Sequence, residues 1–399
     1  MLLLTAARTG AGHVVVGEAL AEAVKARPGR FAMDVLDVLA PAQPRWTDHL
    51  AHLYEPTIVH VPWLWSAIYA ATNSPLCPLI YHALAGQSLV RRVVAAAEAQ
   101  PPDVMVSVHP RMVRAAVAAR RQSSFLADKP IVTVVTDLVD IHRVWVAAGV
   151  DHYVAGSEAA AATLMRYGVA PQRIARLGIP LRPEYGRRPV PTTPPDPHDP
   201  TESEETKPAS QTEMRRRLDL DPQLPLVLFM GGGAGAGSLV KRVRAVAALA
   251  QQTGREFQIA VVTGSNVRSR NALEGIAWPL PVQVYGYVPS TADLMTAADI
   301  VATKPGSVTV SEALAVGRPL VLSRPAGGQE AGNIPYVVQG QAGFYAPNPQ
   351  ETADASALLL QQPDICWEMG QHAARLGAPD ATRRTLDLIQ GLVARPSPP

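Results

Sequence analysis

Short aliphatic runs alternate with alanine-rich helical segments along this chain, and the alternation occurs twice. The first series predicts strands at Met1–Thr5, Ala32–Val38, Val104–Val108, Ile131–Thr136 and His152–Ala155. Helices are expected over Gly17–Ala26, Leu89–Ala99, Met112–Arg121 and Glu158–Tyr167. The second series predicts strands at Leu226–Met230, Gln258–Thr263, Val282–Tyr285, Ile300–Ala302 and Leu320–Leu322. Strands separated by helices of this length form βαβ units, and such units build a parallel sheet. Between the two series, "RRPVPTTPPDPHDPTESEETKPASQTE" is rich in prolines and acids and lacks apolar periodicity, which predicts a linker. The expectation is an α/β protein with two Rossmann-like domains whose parallel sheets face a central cleft. Its boundaries are an N-terminal domain over 1–185, a linker over 186–222, a second domain over 223–375, and a helix and tail over 376–399 that return to the first domain.

A chain of 399 residues is long enough for two such cores. Lys and Arg number 36 against 34 Asp and Glu, a balance that does not suggest nucleic acid as a partner. The first 185 residues hold 17 basic against 14 acidic side chains, a slight surplus compatible with an anionic surface. Cys77 and Cys366 fit no metal-ligand spacing and read as reduced thiols of a cytosolic protein. The apolar run at the N-terminus is too short for a signal-peptide core, and no stretch reaches the eighteen or so apolar residues of a membrane span.

Residues 46–90 break the alternation. They hold three of the six tryptophans, four of the ten histidines, and Tyr54, Tyr69 and Tyr81. That mixture suits a surface facing lipid headgroups or an apolar ligand, and it suits equally an inserted helical pair that completes the core.

Two glycine-rich turns carry chemistry. In "PLVLFMGGGAGAGSLVKRV" an apolar strand runs through glycines into a helix, so backbone amides can approach a phosphate at a helix start. In "TKPGSVTVSEAL" the spacing Gly306-x-x-Thr309-x-x-Glu312 puts a hydroxyl near phosphate oxygens and a carboxylate, one helical turn on, near both hydroxyls of a ribose. Beyond the next strand, Gln329, Glu330 and Asn333 cluster in a Gly-rich loop, with the paired donors and acceptors that grip sugar hydroxyls.

These motifs, with "TGAGH" at Thr9–His13, "VVTDL" followed by His142 and Trp145, "GIPLRPEY", "YGYV" and "GGQEAGNIPYVV", run in order over nearly the whole chain. In that order the chain resembles the GT-B glycosyltransferases that include monogalactosyldiacylglycerol synthases, processive diacylglycerol glucosyltransferases and, more distantly, the lipid II-forming N-acetylglucosaminyltransferase. It departs from the family loop at Ala11, where a glycine is usual, and at Gly306-Ser-Val-Thr309, where plant-type members have Gly-Pro-Gly-Thr.

The resemblance implies a UDP-sugar donor and no cofactor. By it, Tyr287 and Val288 meet uracil through their backbone, Glu312 binds ribose, and Ser307, Thr309, Gly232 and Gly233 lie at the diphosphate. Gln329, Glu330 and Asn333 hold the donor sugar, while Trp63, Trp65, Tyr69, His142 and Trp145 face the acceptor or membrane. The expected reaction is inverting transfer of galactose from UDP-galactose to 1,2-diacylglycerol. The alternatives are a UDP-glucose-dependent diacylglycerol glucosyltransferase, processive or not, and a catalytically silent UDP-sugar-binding membrane sensor. Transfer needs a general base, and His13 at the first βα turn is the first candidate, with Asp137 orienting it or serving instead. Backbone amides with a helix dipole can stabilise the leaving diphosphate, so the reaction needs no metal. The acceptor implies a cytoplasmic protein, peripheral on the inner face of the cell membrane, with an anionic lipid surface as partner.

Overall fold

Leu2–Thr5 is the sequence LLLT, buried on both faces, which is the signature of a central strand in a parallel sheet covered by helices. The computed structural model describes residues 1–5, 11–27, 32–37, 69–74, 77–187, 211–231 and 239–394, the side chains of 11 and 77–86 excepted. The first series of elements is β1 (Leu2–Thr5), α1 (Ala11–Lys25), β2 (Asp34–Asp37), α2 (Cys77–Ala99), β3 (Met105–Ser107) and α3 (Pro110–Gln122), then β4 (Ile131–Val134), β5 (His152–Ala155), α4 (Glu158–Arg166) and β6 (Ile174–Arg176). Its six strands pair in the order β2-β1-β3-β4-β5-β6, all parallel.

The second series is α5 (Gln211–Arg217), β7 (Leu226–Met230), α6 (Leu239–Thr253), β8 (Gln258–Val262), α7 (Val267–Glu274), β9 (Val282–Tyr285) and α8 (Ala292–Ala297). It continues through β10 (Ile300–Thr303), α9 (Ser307–Ala315), β11 (Leu320–Leu322), α10 (Asn333–Gln339), β12 (Gly343–Tyr345), α11 (Pro349–Gln361) and α12 (Pro363–Leu376). These strands also pair in parallel, in the order β12-β11-β10-β7-β8-β9. The last helix is α13 (Ala381–Val393).

The chain divides into two compact units. One comprises the described residues of Met1–Pro183, Gly327–Gly332 and Asp380–Pro399; the other comprises those of Glu184–Ala326 and Asn333–Pro379. In the first, β1, β3 and β4 bury Leu4, Met105 and Ile131 against Met112 and Trp145. The helix α13 closes this unit: Thr382 donates to the Leu181 carbonyl, and Arg27 reaches the Asp387 carboxylate at 3.0 Å. Arg182 joins Glu18 at 2.6 Å and also pairs with Glu22, both on α1.

In the second unit, Val227, Phe229, Ile259, Val261 and Ile300 form the sheet side of the core beneath α6 and α11. The helix α5 lies within the span that composition marks as linker. Its Arg215 is buried and donates to the Asp299 carboxylate at 2.5 Å and to the Ala297 carbonyl at 3.0 Å. Gln211 adds a bond of 2.8 Å to Asp299, and the Leu226 amide a further one of 2.6 Å. Polar residues that look solvated in sequence are thus a docking pair at the start of β7.

Three other elements differ from the sequence expectation for local reasons. Helix α2 begins at Cys77, twelve residues ahead of the expected Leu89, because Pro78 falls in its first turn, where a missing N–H costs nothing. The edge strands β6 and β12 are three residues each and lack an apolar run to announce them.

Candidate functional site

Both sheets reverse their strand order beside the first strand of the series, and open α/β sheets bind ligands at that point, outside the carboxyl ends of the strands. In the first unit these ends carry a polar cluster. His13, in the first turn of α1, is partly exposed, and its Nδ1 lies 2.7 Å from the Thr136 hydroxyl just past β4. Its ring also bonds to the Val108 backbone, and burial pushes its pKa down to about 4, so the imidazole is neutral at physiological pH. The His109 ring meets it edge-on at 4.6 Å between centroids, and Trp145 lies at 5.9 Å.

Asp137 follows Thr136. Its Oδ2 accepts from the Trp145 indole N–H at 2.7 Å. Burial raises the Asp137 pKa to about 7; the indole bond opposes that shift, and the nearby Asp140 carboxylate adds to it. The fully buried Trp145 therefore borders both candidate bases. A carboxyl group that titrates near neutrality is suited to general-base work.

In the second unit, the start of α9 follows β10. No side chain caps this helix at Gly306, so its first amides face the end where an anion is favoured. Ser307 and Thr309 in this first turn are partly exposed. Glu312 lies one turn on from Thr309, on the same helix face, and is buried. The fully buried Asn333 donates to the Pro305 carbonyl at 2.8 Å and to Ser307 Oγ at 3.2 Å, which fixes the loop leading into α9. Tyr287 is well exposed, and Val288 partly so.

A family model described as monogalactosyldiacylglycerol (MGDG) synthase matches residues 13–181, and one described as glycosyltransferase family 28 C-terminal domain matches residues 226–326. A probable monogalactosyldiacylglycerol synthase of Glycine max is 31% identical over 407 residues, spanning 99% of this chain and 72% of its own length. A probable synthase of Nicotiana tabacum is 30% identical over 397 residues, spanning 98% and 70%. The chain belongs to the monogalactosyldiacylglycerol synthase family. It is a glycosyltransferase with the GT-B fold, the architecture expected from sequence. Among solved structures, MurG of Acinetobacter baumannii superposes with a TM-score of 0.59 at 14% identity, covering 98% of this chain and 99% of that one. A putative UDP-N-acetylglucosamine 2-epimerase of Listeria monocytogenes superposes with a TM-score of 0.61 at 14% identity, over 99% and 97%. At such identities these two likenesses speak to the fold alone.

In this synthase-family chain, the residues expected at the acceptor or membrane separate into two groups. Trp63 and Trp65 lie outside the described residues, as do Gly232 and Gly233 of the expected diphosphate loop. Tyr69, His142 and Trp145 are described. The Tyr69 hydroxyl donates to the Asp140 carbonyl at 3.0 Å, and its ring lies edge-on to His142 at 4.9 Å. Buried His142 accepts from the Val144 amide at 3.2 Å, while its Nε2 lies 3.2 Å from the Thr72 hydroxyl.

Tyr69 also packs on Gly328, in the segment that carries Gln329 and Glu330. Asp140 holds the same segment, accepting from the Gly332 amide at 2.8 Å. Glu330 is buried and Gln329 partly exposed. Sequence reasoning missed Thr136, His109 and Asp140. Asp140 carries a usable signal, being three residues after Asp137 at the end of a strand. Among the described residues, no group of three or more His, Cys, Asp or Glu side chains could hold a metal ion, and no helix is long and apolar enough to cross a membrane.

Proposed function

We propose that this chain transfers galactose from UDP-galactose to the free hydroxyl of 1,2-diacylglycerol, with inversion at the anomeric carbon and release of UDP. Family membership supports the donor and acceptor classes. The observation that carries the catalytic reading is the Asp137 carboxyl, whose pKa is raised to about 7, bonded to Trp145 beside a neutral imidazole.

Asp137 takes the proton from the acceptor hydroxyl as that oxygen bonds to the sugar C1. The bond from C1 to the UDP oxygen breaks, and its electron pair leaves with the diphosphate. The start of α9, with Ser307 and Thr309, receives that charge together with Gly232 and Gly233. Glu312 holds the ribose, and the backbone of Tyr287 and Val288 meets the uracil. Gln329 and Glu330 hold the sugar, and Asn333 fixes the loop leading into α9. Asp137 leads His13 as base because a group with a pKa near 4 accepts a proton only weakly, and because the His13 ring already bonds to Thr136 and to Val108. A lipid acceptor implies work at a membrane face, so the enzyme is a peripheral protein on the cytoplasmic side of the cell membrane. There an anionic surface is its partner, and Trp63 and Trp65 contact the lipid.

Purified protein incubated with diacylglycerol liposomes, with and without anionic lipid, and labelled UDP-galactose or UDP-glucose tests the reading. Galactolipid made from UDP-galactose alone, faster on anionic liposomes, is the expected result. Equal or greater transfer from UDP-glucose overturns the donor, and UDP binding without any transfer overturns the enzyme.

A further inference from the structure

Tyr185 ends the "GIPLRPEY" segment and is fully buried within the second unit, although nothing in the proposed reaction uses it. A buried phenol needs a partner for its one proton and tolerates a donor to its oxygen. Three groups surround this one. The Thr291 hydroxyl is 2.9 Å from the phenol oxygen, the Met295 sulfur is at 3.8 Å, and the Glu312 carboxylate is a hydrogen-bond partner. The carboxylate is the strongest acceptor of the three.

Thr291 occupies the position before α8, where a threonine ordinarily caps the helix. Its side chain makes no capping bond here, and the neighbouring Ser290 Oγ accepts from the Ala292 amide instead, at 3.4 Å. The Thr291 hydroxyl is therefore available to donate to the phenol, while the phenol donates to Glu312. Burial and the two carboxylates near it, Glu312 and Glu184, keep Tyr185 protonated at any pH the protein meets.

We propose that Tyr185 is a positioning residue for the nucleotide: the Thr291–Tyr185–Glu312 chain holds the buried carboxylate in one orientation, with its remaining lone pairs directed to the ribose hydroxyls. The inference rests on the reading of Glu312 as the ribose contact. The physical argument is one of desolvation. A carboxylate with 7% of its surface exposed is costly without donors, and the phenol supplies one before the nucleotide arrives. Ribose hydroxyls then complete the set, so the site does not reorganise on binding.

Tyr185→Phe keeps the ring and removes only the donor. UDP affinity, measured by calorimetry, is expected to fall about tenfold in this variant, with the KM for the donor rising in step and kcat little changed. With a donor whose ribose lacks its 2′- and 3′-hydroxyls, Tyr185→Phe and the parent protein should bind alike. Adding Tyr185→Phe to Glu312→Gln should cost little beyond the single change. If Glu312→Gln leaves UDP affinity intact, the ribose reading itself fails. If Glu312→Gln weakens UDP while Tyr185→Phe, with unchanged thermal stability, binds UDP as the parent does, the positioning role is overturned. An equal loss with the deoxy donor overturns it too, since a merely structural defect has no reason to depend on ribose hydroxyls.

Discussion

If Asp137 is the base, the rate must follow its ionisation, and the structure fixes where that happens. With a pKa of about 7, roughly 1% of Asp137 is ionised at pH 5, half at pH 7 and nearly all at pH 9. The acid limb of kcat/KM should thus rise about 50-fold between pH 5 and pH 7 and flatten above pH 8. His13, with a pKa of about 4, gives a different curve: it is already about nine-tenths neutral at pH 5, so a His13-driven rate changes hardly at all over that interval.

The groups facing Asp137 refine the test. The indole N–H of Trp145 favours the ionised carboxylate, while Asp140 and burial oppose it. Trp145→Phe removes a hydrogen bond to a charged group, worth roughly 1.5 kcal/mol, and should move the acid limb up by about one pH unit. Initial rates with labelled UDP-galactose and micellar diacylglycerol, taken from pH 4.5 to pH 9, read both effects. A profile flat from pH 5 to pH 8 with a limb near pH 4 refutes Asp137 as the base. So does a limb near pH 7 that Trp145→Phe leaves in place.

The same carboxyl links activity to stability. Its folded pKa lies above its unfolded value, so its favourable contribution is complete below about pH 4 and disappears as pH rises through about 7. Asp137→Asn should abolish turnover yet raise the melting temperature relative to wild type more at pH 8 than at pH 5, as scanning calorimetry can read. A side chain at position 332 would meet the Asp140 carboxylate at 2.6 Å, so Gly332→Ala should cut transfer at least tenfold while UDP binding and the melting temperature change little. Buried Arg242 donates to the Ala346 carbonyl at 2.8 Å and the Pro347 carbonyl at 2.7 Å, and it also bonds to Thr352. Arg242→Ala should cost about 3 kcal/mol in urea unfolding, because several carbonyls lose their donor together.

The parallel sheets were legible because their strands are solid apolar runs: LLLT, IVTV, LVLFM and QIAVV could be little else between helical segments. The strands IAR and GFY were not, since edge strands of three residues need few apolar side chains. Around the site, sequence spacing found residues that share one element, such as Ser307, Thr309 and Glu312 on α9. It could not find partners brought together across the fold. His13 and Thr136 are 123 positions apart, and Gly332 and Asp140 are 192 apart. For Trp145, amino-acid type and spacing suggest the acceptor side, but they carry neither its burial nor the bond from its N–H to Asp137.

The position of α13 bears on how such a chain is made. This helix completes the first unit, yet its residues follow the whole second unit in the chain. During synthesis Arg27 must wait for Asp387 until the whole second unit has left the ribosome. Contacts as distant as Arg27–Asp387 form late and slow the final folding step. A nascent chain stalled just short of α13 would therefore hold a complete second unit and an unfinished first one, a state that invites chaperone capture.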